Sequence, residues 1–161
     1  MQYYYQDRNL DFLKEKIKEI KIALFKTELN PELQLPNNII QTLKVENDGI
    51  IWFFTSCNGN HVKNIDKPFY AYLSYYKKGS GCRLNLNGIA SIVKNDDNGL
   101  FSIYNYSKGN YGRLVLVKMK IMQAEFCENK IFENTSWAEK LKNTFNHLFA
   151  APARRTYNFS E

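Results

Sequence analysis

The chain has 161 residues, which is enough for one domain whose core needs neither disulfides nor a metal. Hydrophobic residues make up 44% and charged residues 24%, the balance of a folded globular protein, and this excludes a largely disordered chain. A net charge of +6 favours an anionic partner, whether a nucleotide, a phosphate cofactor or a nucleic acid.

Cysteine usage and hydropathy indicate the environment of the protein. The three cysteines are widely spaced without a Cys-x-x-Cys pair, so we expect reduced thiols and neither a disulfide framework nor a zinc ribbon. The opening residues lack a basic end leading into an apolar run, and no apolar segment is long enough to span a membrane. We therefore expect a cytoplasmic protein, a single domain over residues 1–161, with no membrane partner. The lysines are spread along the chain, which argues against nucleic acid as a partner.

Apolar residues at three- and four-residue spacing predict an amphipathic helix near the start of the chain. This stripe consists of Leu10, Leu13, Ile17, Ile20 and Leu24. Charged residues fill the positions between them. From Ile22 to Lys26 the composition becomes strand-like, so we expect the helix to give way to a first strand there.

A β-hairpin is predicted around the pair Asp48-Gly49, because these residues supply the positive backbone torsions of a tight turn. In the strand before the turn, regular alternation predicts one face made of Ile39, Leu43 and Val45. After the turn, the β-branched and aromatic run at residues 50–55 predicts the partner strand.

Three further strands are predicted at about residues 69–76, 82–94 and 113–126. The first carries aromatic side chains on both faces, so we expect a ligand or a second subunit to cover its outer side. In the second, Gly88 interrupts the alternation and indicates a bulge. In the third, the apolar phase switches after Ile121, which is also what a bulge produces.

The C-terminal region is predicted to contain a helix. Ser136 and Glu139 form a capping box, and apolar spacing continues to about residue 149. The tail at residues 153–159 alternates loosely and is expected to dock on a neighbour. The fold class is therefore mainly β, a six-stranded antiparallel barrel over about residues 22–128 with an N-terminal and a C-terminal helix.

A polar loop follows the hairpin strand. Its side chains are small hydroxyls and amides, namely Thr55, Ser56, Asn58 and Asn60 around Gly59. Hydroxyls and backbone N–H groups of such a loop can hold a phosphate, although the same composition occurs in ordinary turns. The hypothesis is an anion held at this end of the strand.

No catalytic constellation can be placed in the sequence. It offers no serine-histidine-acid set, carboxylate pair or glycine-rich nucleotide fingerprint, which argues against hydrolase or kinase chemistry. Cys57 and His61 are too few for a metal site, so none is predicted. Catalytic residues stay unassigned, and any redox chemistry would belong to a bound cofactor.

Two motifs resemble the pyridoxamine 5'-phosphate oxidase-like family, and in particular its general stress protein 26-like flavin proteins. They are DGIIWFFT at residues 48–55 and LNLNGIASIV at residues 84–93. The resemblance, with the order of elements, extends over about residues 8–128. It implies a split β-barrel, a homodimer and FMN held in a groove between the two subunits.

The resemblance also implies which residues would hold FMN. Thr55 matches the family's phosphate-side threonine, and Ser56 begins the loop beside it. Trp52 and the strand backbone around Leu43 would line an apolar slot for the flavin ring, although a plain core position is the favoured interpretation of Trp52.

Two positions depart from the family pattern. Asn38 stands where relatives of this type carry an arginine, and His61 replaces an expected lysine. Lys63 lies close enough in sequence to substitute for that lysine.

Three functions follow as alternatives. The first is an FMN-binding split-barrel protein that acts as a flavin-dependent oxidoreductase. The second is a non-catalytic dimeric binding or stress-response module, in which Asn38 and His61 have abolished flavin affinity. The third is a nucleic-acid-binding barrel, weakened by the lack of a basic stripe beside the aromatics.

Overall fold

The computed structural model describes residues 8–28, 35–57, 67–93, 113–128 and 153–159. In chain order the elements are α1 (Arg8–Ile20), β1 (Ile22–Thr27), β2 (Asn38–Val45), β3 (Ile50–Cys57), β4 (Phe69–Lys77), β5 (Cys82–Ile92), β6 (Arg113–Glu128) and β7 (Ala153–Asn158). The predicted mainly β fold is confirmed, and all six predicted strands are present.

Antiparallel pairing closes six of the strands into a barrel. The order is β3-β2-β1-β4-β5-β6, and β3 pairs with β6 to complete the ring. The closing ladder runs from Ile50 opposite Lys120 to Cys57 opposite Arg113. Closure leaves the barrel strands without exposed edges. β7 then pairs with the C-terminal part of β6, beyond the start of β3.

The barrel interior is filled by the inward side chains of alternating positions. Leu84 and Leu86 of β5, for example, are fully buried. One polar contact lies among the apolar groups, where Thr42 Oγ1 and the Tyr75 hydroxyl are 2.7 Å apart. Burial raises the pKa of the Tyr75 phenol, so this group stays neutral. Its contact with Thr42 links β4 to β2 through the barrel interior.

Helix α1 closes one end of the barrel, which we call the helix end. Its apolar stripe joins the core through Leu10, Leu13 and Ile17. Lys14 Nζ donates to Asn47 Oδ1 in the β2–β3 turn at 2.6 Å, and Lys77 at the end of β4 pairs with Glu19. The helix ends before Lys21, whose φ of 64° redirects the chain into β1.

Two predictions about side-chain faces are wrong. Leu24 was predicted as the last residue of the helical stripe, but it lies in β1 and is 38% exposed, because Lys21 ends the helix first. Ile39 and Val45 do not share a face. Ile39 is 72% exposed, whereas Val45 packs against the core, because a bulge at Leu43 changes the phase of β2.

The predicted bulge between β5 and β6 is confirmed. Asn87 pairs with Gln123 and the next residue, Gly88, pairs with Ile121, which leaves Met122 as the extra residue. A Cβ atom added at Gly88 would lie 1.9 Å from the Lys120 carbonyl oxygen. Only glycine therefore fits at this crossing of the two strands.

The C-terminal helix predicted at about residues 136–149 lies outside the described residues. The tail does dock on a neighbour, since it forms β7 along β6. Phe12 of α1 contacts Phe126 of β6 and Tyr157 of β7, with ring centroids 5.1 and 6.2 Å apart. In the part of the chain that the structure describes, no helix is long and apolar enough to cross a membrane.

Candidate functional site

The end of the barrel opposite the helix end carries the predicted phosphate-side residues, and we call it the Thr55 end. β1, β3 and β5 finish there, while β2, β4 and β6 begin there. Three connections, at residues 28–37, 58–68 and 93–112, therefore join strands at the same end.

Thr55 is a buried polar residue at this end, with 1% of its surface exposed. Alternation along β3 places it on the interior face with Ile51 and Phe53, and it lies opposite Val115 of β6. Its Oγ1 has no hydrogen-bond partner in the described structure. A buried hydroxyl left unpaired costs about 1–3 kcal/mol. That cost is recovered if the hydroxyl donates to a bound ligand.

Asn38 and Ser56 are brought together at the same end. Asn38 Nδ2 donates to Ser56 Oγ at 2.9 Å, and the contact is partly buried. This bond ties the start of β2 to the end of β3. Since a carboxamide is neutral, Asn38 offers no charge to an anion where the family resemblance implies a guanidinium.

Trp52 lies on the other face of β3. Its cross-strand neighbours are Lys44 on β2 and Lys118 on β6, both exposed. The indole is 7% exposed and stands outside the interior core cluster, and its Nε1 also lacks a partner in the described structure. Trp52 and Thr55 therefore present their unpaired donors on opposite faces of one strand.

Leu43 lies at the β2 bulge, between Thr42 opposite Phe53 and Lys44 opposite Trp52. A bulge takes the backbone of the extra residue out of the ladder. Leu43 also lines a cavity of about 430 Å³ between α1 and β2, together with Lys18 and Lys21. That cavity lies toward the helix end, so it is separate from the Asn38–Ser56 contact.

Two predicted residues cannot be placed. His61 and Lys63 lie outside the described residues. Their part in binding an anion stays a prediction.

An exposed apolar face covers the outside of β2, β1 and β4. It consists of Ile22, Leu24, Ile39, Tyr70, Tyr72 and Tyr76. Leu24 lies opposite Ile39 on β2 and Ser74 on β4, and Ser74 is flanked on this face by Tyr72 and Tyr76. Contiguous exposed apolar surface of this kind marks an interaction site.

A polar surface adjoins this apolar face on the outside of β5. Arg83, Asn85 and Asn87 alternate with the buried Leu84 and Leu86, as the sequence predicted. β7 lies beside β6 and brings Arg154 to the same surface, a pairing that the loose alternation of the tail does not predict.

No protein-family model matches this chain, and no curated protein matches it in sequence. The chain is similar to solved structures in its backbone fold, and the sequence identities are low. A protein described as a general stress protein 26 from Jannaschia sp. CCS1 aligns with a TM-score of 0.57 and 16% identity, over 94% of this chain and 98% of that one.

Two further structures have the same fold. The general stress FMN/FAD binding protein of Xanthomonas citri gives a TM-score of 0.55 and 15% identity, over 79% of this chain and 92% of its own. A Clostridium acetobutylicum protein related to general stress protein 26, of the pyridoxinephosphate oxidase family, gives a TM-score of 0.51 and 14% identity. The alignment covers 78% of this chain and 91% of that one. The resemblance predicted from the two sequence motifs is thus confirmed for the fold.

Proposed function

We propose that this chain, which shares its fold with general stress protein 26-like and pyridoxinephosphate oxidase-type proteins, is a homodimeric FMN-binding protein. The observation that carries the proposal is the buried Thr55 hydroxyl without a partner, at the position that matches the phosphate-side threonine. One neighbour in fold is itself described as an FMN/FAD binding protein.

The residues of this chain would hold the cofactor in distinct ways. Thr55 Oγ1 would donate to the phosphate, and the loop that begins at Ser56 would add further donors, with Lys63 and His61 as the cationic candidates. Trp52, on the opposite face of β3, and Leu43, toward the helix end, are not brought to Thr55 in the described structure, so neither is assigned a contact with the flavin ring. When bound, FMN would supply hydride and electron transfer, which fits a flavin-dependent oxidoreductase that uses a nicotinamide or similar donor.

Replacing Thr55 by valine should weaken FMN binding while it stabilises the ligand-free protein. Valine has nearly the same shape and removes the unpaired hydroxyl, so we expect the ligand-free protein to gain about 1 kcal/mol in free energy of unfolding. FMN affinity should fall about tenfold or more, because a charge-assisted hydrogen bond is lost. Urea denaturation and flavin fluorescence titration measure the two effects.

Thr42→Val is the matched control, since the Thr42 hydroxyl is paired with Tyr75. It should lower the free energy of unfolding by about 1 kcal/mol, the opposite sign, because the phenol loses its partner. A Thr55→Val protein that binds FMN as the wild type does would place the phosphate elsewhere.

The homodimer is proposed from the apolar face on β2, β1 and β4. A second copy would cover side chains that are 72% exposed at Ile39 and 63% at Tyr70, and such aromatic-rich surface is typical of interfaces. In the family resemblance the flavin groove lies between subunits, so covering this face would also complete the binding site.

Placing charges in the apolar face should separate the subunits. For Ile39→Glu with Tyr70→Glu we expect a monomer by light scattering at micromolar concentration, because two carboxylates on each copy would be desolvated in the interface. The monomer should keep its thermal unfolding transition, since both side chains point outward. Lys78→Glu, at the exposed β4–β5 turn, is the control. An unchanged dimer would show that the subunits meet elsewhere.

A second candidate function is favoured by the Asn38–Ser56 contact. Here the two side chains satisfy each other at 2.9 Å, and Asn38 itself carries no charge in place of the family arginine. This arrangement suits a dimeric binding or stress-response module that no longer holds flavin.

Colour distinguishes the two candidates. Yellow purified protein with a flavin absorption spectrum supports the FMN proposal. Colourless protein that gives no change on titration with FMN supports the module.

A further inference from the structure

We propose that the outer edge of β7 pairs with the same edge of a second copy, so that the two sheets join across a two-fold axis at Thr156. β7 is the last strand of the sheet, and β6 is its one neighbouring strand among the described residues. β5 and β6 separate it from β4, the nearest strand of the apolar face. The contact therefore goes beyond the proposed function, because it uses neither that face nor the Thr55 end.

The hydrogen bonds between β6 and β7 show which backbone groups lie on this edge. Phe159 N–H donates to the Met122 carbonyl at 2.9 Å, and the register of the two strands places these residues directly opposite each other. In an antiparallel ladder, pairs bonded in this way alternate with pairs whose N–H and C=O groups point away from the partner strand. The residues of β7 that point outward are Arg154, Thr156 and Asn158. An edge with such free groups is a template for a further strand.

The outward residues are complementary to a second copy of the same strand. When two β7 strands run antiparallel with Thr156 opposite Thr156, Arg154 of each copy lies opposite Asn158 of the other. Each of these pairs can exchange two backbone hydrogen bonds, so all the outward groups find partners. A shift of the register by two residues leaves one described outward residue of each copy without a partner in the other β7. The strand therefore selects the two-fold register.

The side chains agree with this register. Arg155 of each copy lies opposite Tyr157 of the other, and a cation beside an aromatic ring is favourable. Arg155 is exposed, and the Tyr157 ring is held in place by Phe12 at 6.2 Å between centroids. Arg154 keeps its ion pair with Glu125 on the opposite face. Charged residues on an edge strand oppose pairing when like charges meet, but here no arginine lies opposite another arginine.

The size of the contact indicates a weak association. β7 has 6 residues, whereas a stable interface uses about 20–30 residues from each partner. We therefore expect pairing well above micromolar concentration. Since the apolar-face contact is also two-fold, a protein that uses both contacts assembles beyond the dimer.

The full-length protein with Ile39→Glu and Tyr70→Glu tests the edge alone, because these changes remove the apolar-face contact. By sedimentation we expect a monomer at about 10 µM and dimerisation as the concentration approaches about 1 mM. Adding Thr156→Pro should raise the dissociation constant about tenfold or more, because proline removes the central outward N–H, which β6 does not use. Thr156→Val is the matched control, since it keeps that N–H and the branched shape. Arg155→Glu leaves the backbone unchanged and should also weaken pairing, because the cation beside the ring is lost.

Hydrogen exchange of single amides identifies the edge directly. As the protein is concentrated, the amides of Arg154, Thr156 and Asn158 should exchange more slowly, in proportion to the fraction of dimer. The Tyr157 amide, which bonds to β6, should not change with concentration.

Three results would overturn the pairing. They are a double variant that stays monomeric at about 1 mM, equal association of the Thr156→Pro and Thr156→Val proteins, and outward amides that are already slow in the dilute monomer, which would mean that the chain covers its own edge. The apolar-face contact fails separately. If Thr156→Pro alone separates a micromolar dimer of the otherwise unchanged protein, β7 pairing is supported and the apolar face is not the subunit contact.

Discussion

Gly88→Ala is expected to remove most of the stability of the barrel. The added Cβ would meet the Lys120 carbonyl oxygen at 1.9 Å, and this oxygen belongs to the β6 backbone, which cannot rotate away as a side chain can. The strands would have to separate at the bulge where β5 passes β6. We expect a loss of at least about 4 kcal/mol, which is a large part of the free energy of unfolding of a domain this size. Urea denaturation measures it, or the soluble yield if the variant does not fold.

Gly79→Ala tests whether steric overlap is the cause. Nothing lies within 4 Å of a Cβ at Gly79, but its φ of +93° is strained for alanine. We expect a smaller loss, about 1–2 kcal/mol, from backbone strain alone. Equal losses for the two variants would contradict the close approach at Gly88.

Leu13→Ala is expected to loosen the helix end of the barrel. Leu13 is fully buried and belongs to the core cluster that joins α1 to the sheet. Alanine preserves helix propensity, so the loss comes from packing and from the cavity left behind. We expect about 2–5 kcal/mol, measured by thermal and urea unfolding.

Glu15→Ala is the control on the same helix. Glu15 is exposed, and its ion pair among the described residues is with Lys18 at 3.3 Å on the surface, so removing it should change the free energy of unfolding by less than about 0.5 kcal/mol. If Leu13→Ala were equally mild, α1 would not be closing the barrel.

Most of the fold could be predicted because its turns and one of its bulges are marked by short sequence patterns. The Asp48-Gly49 pair predicts a turn from torsion preferences alone, and Gly49 does have a φ of 84°. The bulge at Gly88 could be inferred from one glycine within an alternating strand. Barrel closure could be inferred from the number and order of the strands, because closing a six-stranded antiparallel sheet removes its two exposed edges.

The errors arose where a local pattern changes phase without a sequence marker. The bulge at Leu43 involves no glycine or proline, so simple alternation runs through it and predicts Ile39 on the same face as Val45. Leu24 continued the helical spacing past Lys21, whose positive φ is uncommon for a residue with a side chain. β7 was missed as a strand because its pairing with β6 is a tertiary contact that its short, charged sequence does not signal.

The candidate site was predictable in its members but not in its arrangement. Alternation alone could have shown that Trp52 and Thr55, three residues apart on one strand, face opposite ways. The contact between Asn38 and Ser56 joins two strands and required the register.

The two ends of the barrel differ in what a substitution can alter. At the helix end, α1, two turns and the core form one packed unit, so a change there acts on folding. At the Thr55 end, the buried Thr55 hydroxyl has no partner in the described structure, so a change there removes no hydrogen bond from the packed unit. Substitutions at this end can therefore alter what the barrel binds while α1 and the core are retained, and binding preference can evolve independently of thermal tolerance.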